Sequence, residues 1–424
     1  MSDFQEQLAN LRRRIAKIDR KYARGAGKPA SVAAPVPANI DAESPGAEPP
    51  EAWPWEEVEN ALGRHYETEK LYERHRRHGS IGIADLEGLP QNLLEPISNG
   101  EVPSVAPSKW CFLDTETTGL AGGSGTYAFL IGVGRIAPDG FRVRQFFMRE
   151  FGEEASLLSA LDEHLKQFDV LITYNGRTYD QPLLETRFRM MRQRPPFGAM
   201  PHLDLLFGAR RLWKLRFESC RLVDLENQIL GVERQGDLPG ELIPYFYFEY
   251  LRTQQIFRLV PIFHHNAIDI LTLACLTAIV PWAFHPPGQA QFSHGAEMVG
   301  LARWWRQAGE FEHALALFRE ALNRALSDEL AFRTLWDVAM LEKKLKREHA
   351  ALPLFTELAS ARNAWRGPAL EELAKYYEHR ERNYPMALEM TLSALDLAPS
   401  EALRRRAERL KRKSGVCHHI SRLL

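Results

Sequence analysis

The sequence predicts an α/β domain whose mixed sheet is covered by helices, followed by an all-helical repeat domain. Three observations support this. Short apolar runs of strand length alternate with amphipathic helical stretches from Trp110 onward. Strand patterns stop after the break `PWAFHPPGQAQ`. Beyond it, Ala314, Ala351 and Ala387 recur at steps of 37 and 36, the first two with a phenylalanine four positions on, which suits stacked helix–turn–helix units.

The elements follow in order. Phe4, Leu8, Leu11, Ile15, Ile18 and Tyr22 form an apolar seam at alternating steps of four and three, predicting an amphipathic helix over residues 1–25 that packs on this chain, a copy or a partner. Residues 26–55 are rich in Pro and Ala and too poor in large apolar side chains to fold, so they read as a disordered linker. Residues 56–109 form an N-terminal extension of the domain spanning 110–284. There `WCFL`, `TYAFLIGVGRI`, `FRVRQFFMRE` and `DVLITY` read as strands, and `EASLLSALDEHLKQF` and `QPLLETRFRMMRQR` as helices. `PHLDLLFGARRLW` starts extended and turns helical, and most of Val223–Val280 is helical. Residues 292–413 carry the repeats `FEHALALFREAL`, `REHAALPLFTEL` and `YPMALEMTLSAL` and end in the basic `EALRRRAERLKRK`, either a solvated face or a contact for nucleic acid or a partner. Residues 414–424 are a tail.

Bulk properties exclude several classes. The 424 residues carry a net charge of −1, so any nucleic-acid surface must be local. No apolar run is expected to reach the length of a membrane span, and `MSDFQEQLANLRRRIAK` lacks a signal peptide's apolar core. Cys111, Cys220, Cys275 and Cys417 form no CxxC pair, which predicts free thiols and a cytoplasmic protein. The glycines of `TTGLAGGSGTYAF` lead into a strand and match no phosphate-binding loop, so a hairpin connection is expected.

The chemistry concentrates in three motifs. Asp114 and Glu116 in `FLDTETTGL` are two apart on an extended chain and share a face. Asp180 in `YNGRTYDQPLL` opens a helix after a buried strand and a tight turn. His265 and Asp269 in `HHNAID` are four apart on a helix and share a face. Four carboxylates brought together repel unless cations neutralise them, and two Mg²⁺ or Mn²⁺ ions with oxygen ligands meet that need. Such a pair, with a histidine as general base, hydrolyses phosphodiesters. Asp204 is a further acid on an expected strand, and Arg210, Arg211, Arg216 and Arg221 are candidate phosphate contacts. Tyr245, Phe246, Tyr247, Phe248 and Tyr250 are candidates for stacking on single-stranded bases or for core packing.

`FLDTETTGL`, `YNGRTYDQPLL` and `HNAID` resemble the three exonuclease motifs of the DEDD superfamily. `DTETTGLAGGSGTYAFLIGVG`, `HLDLLFGARRLW`, `GDLPGELIPYFYFEY` and `HHNAIDILTL` resemble the YprB-type proteins, an RNase H-like nuclease domain followed by tetratricopeptide (TPR) repeats. Gly309 before Phe311, and Ala394-Leu395 leading to Pro399, are similar to TPR signatures, while repeats two and three lack the glycine. The resemblance implies an RNase H-like mixed sheet, a metal-dependent 3′→5′ exonuclease, Asp114, Glu116, Asp180 and Asp269 as metal ligands, and a repair role beside a helicase. The general base is His265 or His264, with helical geometry favouring His265. DNA is the expected substrate and RNA the alternative. The rival from another class is a non-catalytic scaffold whose repeats bind a protein partner.

Overall fold

The structure is a computed structural model that describes residues 55–119, 125–234, 236–285 and 292–415. The expected N-terminal helix, nearly all of the linker and the tail from residue 416 with Cys417 lie outside the described residues. Two compact units organise the chain: residues up to 209 together with Ser219–His285, and Arg210–Glu218 together with residues 286 onward.

Seven strands build the first unit's main sheet: β1 (Glu56–Asn60), β2 (Gly63–Glu73), β5 (Trp110–Thr117), β6 (Ala128–Ala137), β7 (Gly140–Phe147), β8 (Val170–Thr173) and β9 (His202–Asp204). A separate small hairpin pairs β3 (Arg77–His78) with β4 (Ile81–Gly82). The sheet order is β1-β2-β7-β6-β5-β8-β9, so the extension before Trp110 contributes two of the seven strands. β5 is antiparallel to β6 and parallel to β8, and β8 is parallel to β9. The fold class is the predicted one, an α/β unit with a mixed sheet and then a helical region.

Two helices cover opposite faces of this sheet, as the alternation of side chains along β7 shows. Phe146 points to α1 (Glu154–Leu165), its ring 5.5 Å from that of His164. Its neighbour Gln145 donates to Asn266 Oδ1 at 2.8 Å on the other side. α2 (Asp180–Met190) follows β8, and α3 (Leu205–Trp213) follows β9 directly. α4 (Ile243–Thr253) and α5 (Val260–Thr277) complete the unit. β6 gives up side chains where α5 crosses. A Cβ on Gly132 would sit 2.2 Å from Asn266 Oδ1, and one on Gly134 would sit 2.5 Å from Ile270 Cγ2. Only glycine permits that approach.

The stretch Ile256–Phe284 corrects one expectation, since by length and composition it does suffice to cross a bilayer. Its apolar window is 72% buried inside the protein, as befits a core helix. Among the described cysteines, Cys111, Cys220 and Cys275, none forms a disulfide.

The second unit's helices are α6 (Gly295–Gln307), α7 (Phe311–Leu322), α8 (Asp328–Lys344), α9 (Glu348–Ser360), α10 (Arg366–His379), α11 (Tyr384–Leu397) and α12 (Glu401–Lys413). They pack as successive pairs α6 with α7, α8 with α9 and α10 with α11. The repeat alanines Ala314, Ala351 and Ala387 are buried in the second helix of each pair. The connecting turns share one backbone feature. Gly309, Lys346 and Arg382 all have positive φ, of 88°, 61° and 53°, at the same 37- and 36-residue steps. Repeats two and three lack the glycine but keep its left-handed turn. Pro353 sits inside α9 without ending it.

Candidate active site

β5 carries the first two acids past the point where its neighbour stops. Its pairing with β8 ends at Phe112 opposite Ile172, while its pairing with β6 runs on through Asp114 and Glu116. The strand end is thus open on one side, where the chain returning from β8 can reach it. That return is tightly drawn. Asn175 adopts positive φ, and the buried Asp204 carboxylate accepts the backbone N–H groups of Asn175 (2.7 Å), Arg177 (3.1 Å) and Leu206 (3.1 Å). Asp204 therefore shapes the turn that delivers Asp180. Asp180 begins α2, where the helix dipole favours a negative charge, and its Oδ1 accepts from the Thr115 hydroxyl at 2.5 Å.

α5 brings the third group. Asn266, fully buried, donates to Asp114 Oδ2 at 2.9 Å and is itself held by Gln145. One residue earlier, His265 directs Nδ1 to Asp237 Oδ2 at 2.9 Å, and its Nε2 stands 3.6 Å from Asp269 Oδ2. His264, by contrast, is exposed. Of the two candidate histidines, His265 lies against the last acid. Arg234 reaches the same place, with Nη2 2.6 Å from Asp269 Oδ1 and Nη1 3.0 Å from Asp237 Oδ2.

The electrostatics record crowding. Burial first, then Glu116, Asp269 and Asp180, push Asp114 well above the carboxylate range. Burial also raises Glu116, to about 8, with Asp269 and Asp180 adding and His265 opposing. Asp180 rises to about 6, mainly by burial and against the Thr115 hydrogen bond. His265 moves the other way for its class. Burial would lower it, but Asp269, Asp237 and Glu116 hold its proton up to about 10. Asp237 falls to about 2 because the His265 and Arg234 contacts overcome its burial.

These donors fit divalent cations by chemistry. Asp114, Glu116 and Asp180 are hard oxygen donors at a strand end and a helix start, and each raises the cost of ionising another. Asp269 differs, since Arg234 already faces it. Among the described residues no three His, Cys, Asp or Glu side chains are drawn around a common point as metal ligands.

A family profile described as RNase H superfamily matches residues 111–280. The protein YprB of Bacillus subtilis (strain 168) is 35% identical over 315 residues, covering 71% of this chain and 74% of its own length. The chain belongs to the RNase H-like YprB family. Its first unit thus contains a nuclease-type domain, and nucleic acid is its class of ligand. Among solved structures, the family B DNA polymerase of the hyperthermophilic archaeon Pyrobaculum calidifontis aligns at TM-score 0.33 and 15% identity, over 49% of this chain and 30% of its own.

Several expectations about this family member's site are refined. Arg210, Arg211 and Arg216 belong to the second unit, where Arg216 donates to Glu297 Oε1 at 2.6 Å. Arg221 pairs with Asp224 and lines the same cleft, about 780 Å³, as His265 and Asp269. Of the five aromatic rings, Phe246, Tyr247 and Tyr250 are core, held by packing such as the 3.8 Å stack of Phe129 on Tyr247. Tyr245 and Phe248 remain exposed. Sequence reasoning missed Thr115, Gln145, Arg234, Asp237 and Asn266. Asn266 carried a readable signal, an amide beside the candidate histidines on a helix facing a Gly-x-Gly strand. Arg234 and Asp237 sit in a loop whose position no periodicity reveals.

Proposed function

We propose that the protein is a metal-dependent 3′→5′ exonuclease of the DEDD type, acting on DNA, with Asp114, Glu116, Asp180 and Asp269 holding two Mg²⁺ or Mn²⁺ ions and His265 as general base. The observation that carries this reading is the meeting of three motifs at one strand end with their acids mutually destabilised. Divalent cations, when bound, supply the charge that compensates these acids, activates water and stabilises the leaving oxygen.

The chain's own residues do the rest. Thr115 and Asn266 fix the carboxylates of Asp180 and Asp114 by hydrogen bonds, so their oxygens need no reorganisation. Asp269, Asp237 and Glu116 hold the proton on His265, and with their charge compensated the ring would be free to accept one. Nε2 then accepts the proton of a water whose oxygen attacks phosphorus. The bond from phosphorus to the 3′ oxygen breaks, its electron pair leaves on that oxygen, and solvent returns a proton to it. RNA would undergo the same step, so DNA is favoured on family resemblance. The same resemblance underlies a repair role in which the TPR-like helices or the N-terminal segment dock a helicase.

The test uses 5′-labelled single- and double-stranded DNA and matching RNA, with Mg²⁺, Mn²⁺ or EDTA, and Asp180→Asn and His265→Ala alongside. A ladder shortening from the 3′ end, dependent on metal and lost in Asp180→Asn, is expected. No cleavage and no metal binding would leave a scaffold.

A further inference from the structure

Two residues outside the four-acid pattern hold the histidine within it. We propose that Asp237 and Arg234 are positioning residues for the reaction. Asp237 fixes the His265 ring through Nδ1, Arg234 locks Asp237 and Asp269 on either side of that ring, and Nε2 is the nitrogen left for the reacting water. The proposal rests on the nuclease reading above.

Both oxygens of Asp237 are committed. Oδ2 accepts from His265 Nδ1 at 2.9 Å and from Arg234 Nη1 at 3.0 Å, and Oδ1 accepts from the Leu238 backbone N–H at 2.9 Å. The carboxylate therefore has one orientation, and so has the ring it binds. A neutral imidazole bonded this way carries its proton on Nδ1 and offers Nε2 as the acceptor, which a general base requires. The space beyond Nε2 is kept clear. Gly240 is the neighbour there, and a Cβ built on it would lie 4.0 Å from Nε2. Nε2 is 3.6 Å from Asp269, too long for a hydrogen bond, so the atom is not spent on the protein. Asp237, Gly240, His265, Asp269 and Arg234 all line the same cleft.

Arg234 is itself anchored from behind. Its Nε donates to the fully buried Glu226, whose Oε1 lies 3.1 Å from His78 Nε2. Hairpin β3–β4 seats that histidine closely, since a Cβ on Gly79 would fall 2.0 Å from the Leu230 carbonyl oxygen. Arg234 Nη2 stands 2.6 Å from Asp269 Oδ1, so the guanidinium pairs with that acid while Glu226 holds its Nε. A purely structural ion pair would tie the 232–241 loop to α5 and need not leave Nε2 open.

A kinetic double-mutant cycle separates the two roles. Wild type, Asp237→Asn, His265→Ala and the double variant digest 5′-labelled single-stranded DNA with Mn²⁺, and thermal midpoints are recorded in parallel. Asp237→Asn is expected to lower kcat about 100-fold at unchanged KM and midpoint. In the His265→Ala background the same change should cost under about 3-fold, because no ring remains to orient. Asp237→Glu should recover part of kcat, and Arg234→Lys should lose about 10-fold. Equal losses in both backgrounds, a loss confined to KM, or losses that track the midpoint would overturn the proposal while leaving the nuclease reading standing. Absence of any metal-dependent digestion by wild type would overturn both.

Discussion

Buried carboxylates of the second unit and those at the end of β5 in the first are treated in opposite ways. In the second unit every such acid is met by basic side chains. Asp337 has Arg303 at 3.3 Å and Arg306 at 2.7 Å, Glu342 has Arg319 and Arg347, and Glu378 has Arg409 and Lys413 at 2.8 and 3.2 Å. Glu378 is accordingly held down at about 2, its burial overcome by Arg409 and Lys413. At the end of β5 in the first unit the half-buried Asp114 and the buried Glu116 and Asp180 crowd together, Asp114 and Asp180 take hydrogen bonds from neutral Asn266 and Thr115, and all three are raised. The same residue type is a structural tie in the second unit, as it is at Glu67, Glu154 and Glu226 of the first, and a charge deficit at the end of β5. A protein that brings arginines to the acids of α8 and α10 leaves them out at the end of β5, and the deficit is what a divalent cation would fill.

Substitutions at the two kinds of acid should therefore part company. Asp180→Asn should cut metal-dependent digestion by about 10³-fold, about 4 kcal/mol of barrier, without unfolding the protein. Rates on labelled oligonucleotide beside circular dichroism check this, and a variant that keeps its activity would end the comparison. Glu378→Gln should do the reverse. It leaves Arg409, Arg406 and Lys413 around an uncharged partner and should cost about 3 kcal/mol of stability in chemical denaturation, with little effect on digestion.

Metal itself sharpens the contrast. At a hundred times its Kd, Mg²⁺ or Mn²⁺ should stabilise the first unit by about 2.7 kcal/mol in thermal unfolding. That gain should vanish in Asp114→Asn and persist in Glu378→Gln. In EDTA, Asp114→Asn should be more stable than wild type by about 1 kcal/mol, since one repelling charge is gone while Asn266 keeps its partner atom.

The same contrast extends to pH dependence without metal. Glu116, raised to about 8 from the 4.5 of an unperturbed glutamate, penalises the folded state above pH 8, and that penalty fades as pH falls toward 4.5. Glu378, lowered to about 2, stabilises above 4.5, and that stability is lost as pH falls from 4.5 toward 2. Denaturation followed by separate probes in each unit should show the first gaining stability between pH 8 and 4.5 and the second losing it below 4.5.

How much of this could be read in the chain differs by element. Each strand from Trp110 to Thr173 was legible because a period of two needs only neighbouring residues. The pairing of helices after residue 292 was legible from the alanine repeat. The strand pair β1–β2 was not assigned, for `EEVEN` and `GRHYETEKLYE` carry many charges and alternate weakly, and only β7 gives them an edge to join. Asp204 shows the same limit: an acid on an apolar strand cannot be told from a ligand until the three N–H groups it accepts are in view.

The sequence alone determined the α/β-then-α architecture and put forward the four acids and the histidine pair as candidates, because residue type and local spacing encode them. Helical spacing already favoured His265, but tertiary structure alone decided that Arg234 and Asp237 stand beside it and Asp269, and that Gly132 and Gly134 let α5 come close enough for Asn266 to reach Asp114. Those facts depend on contacts between residues as many as 152 apart in the chain, and no local pattern records which distant side chain will arrive.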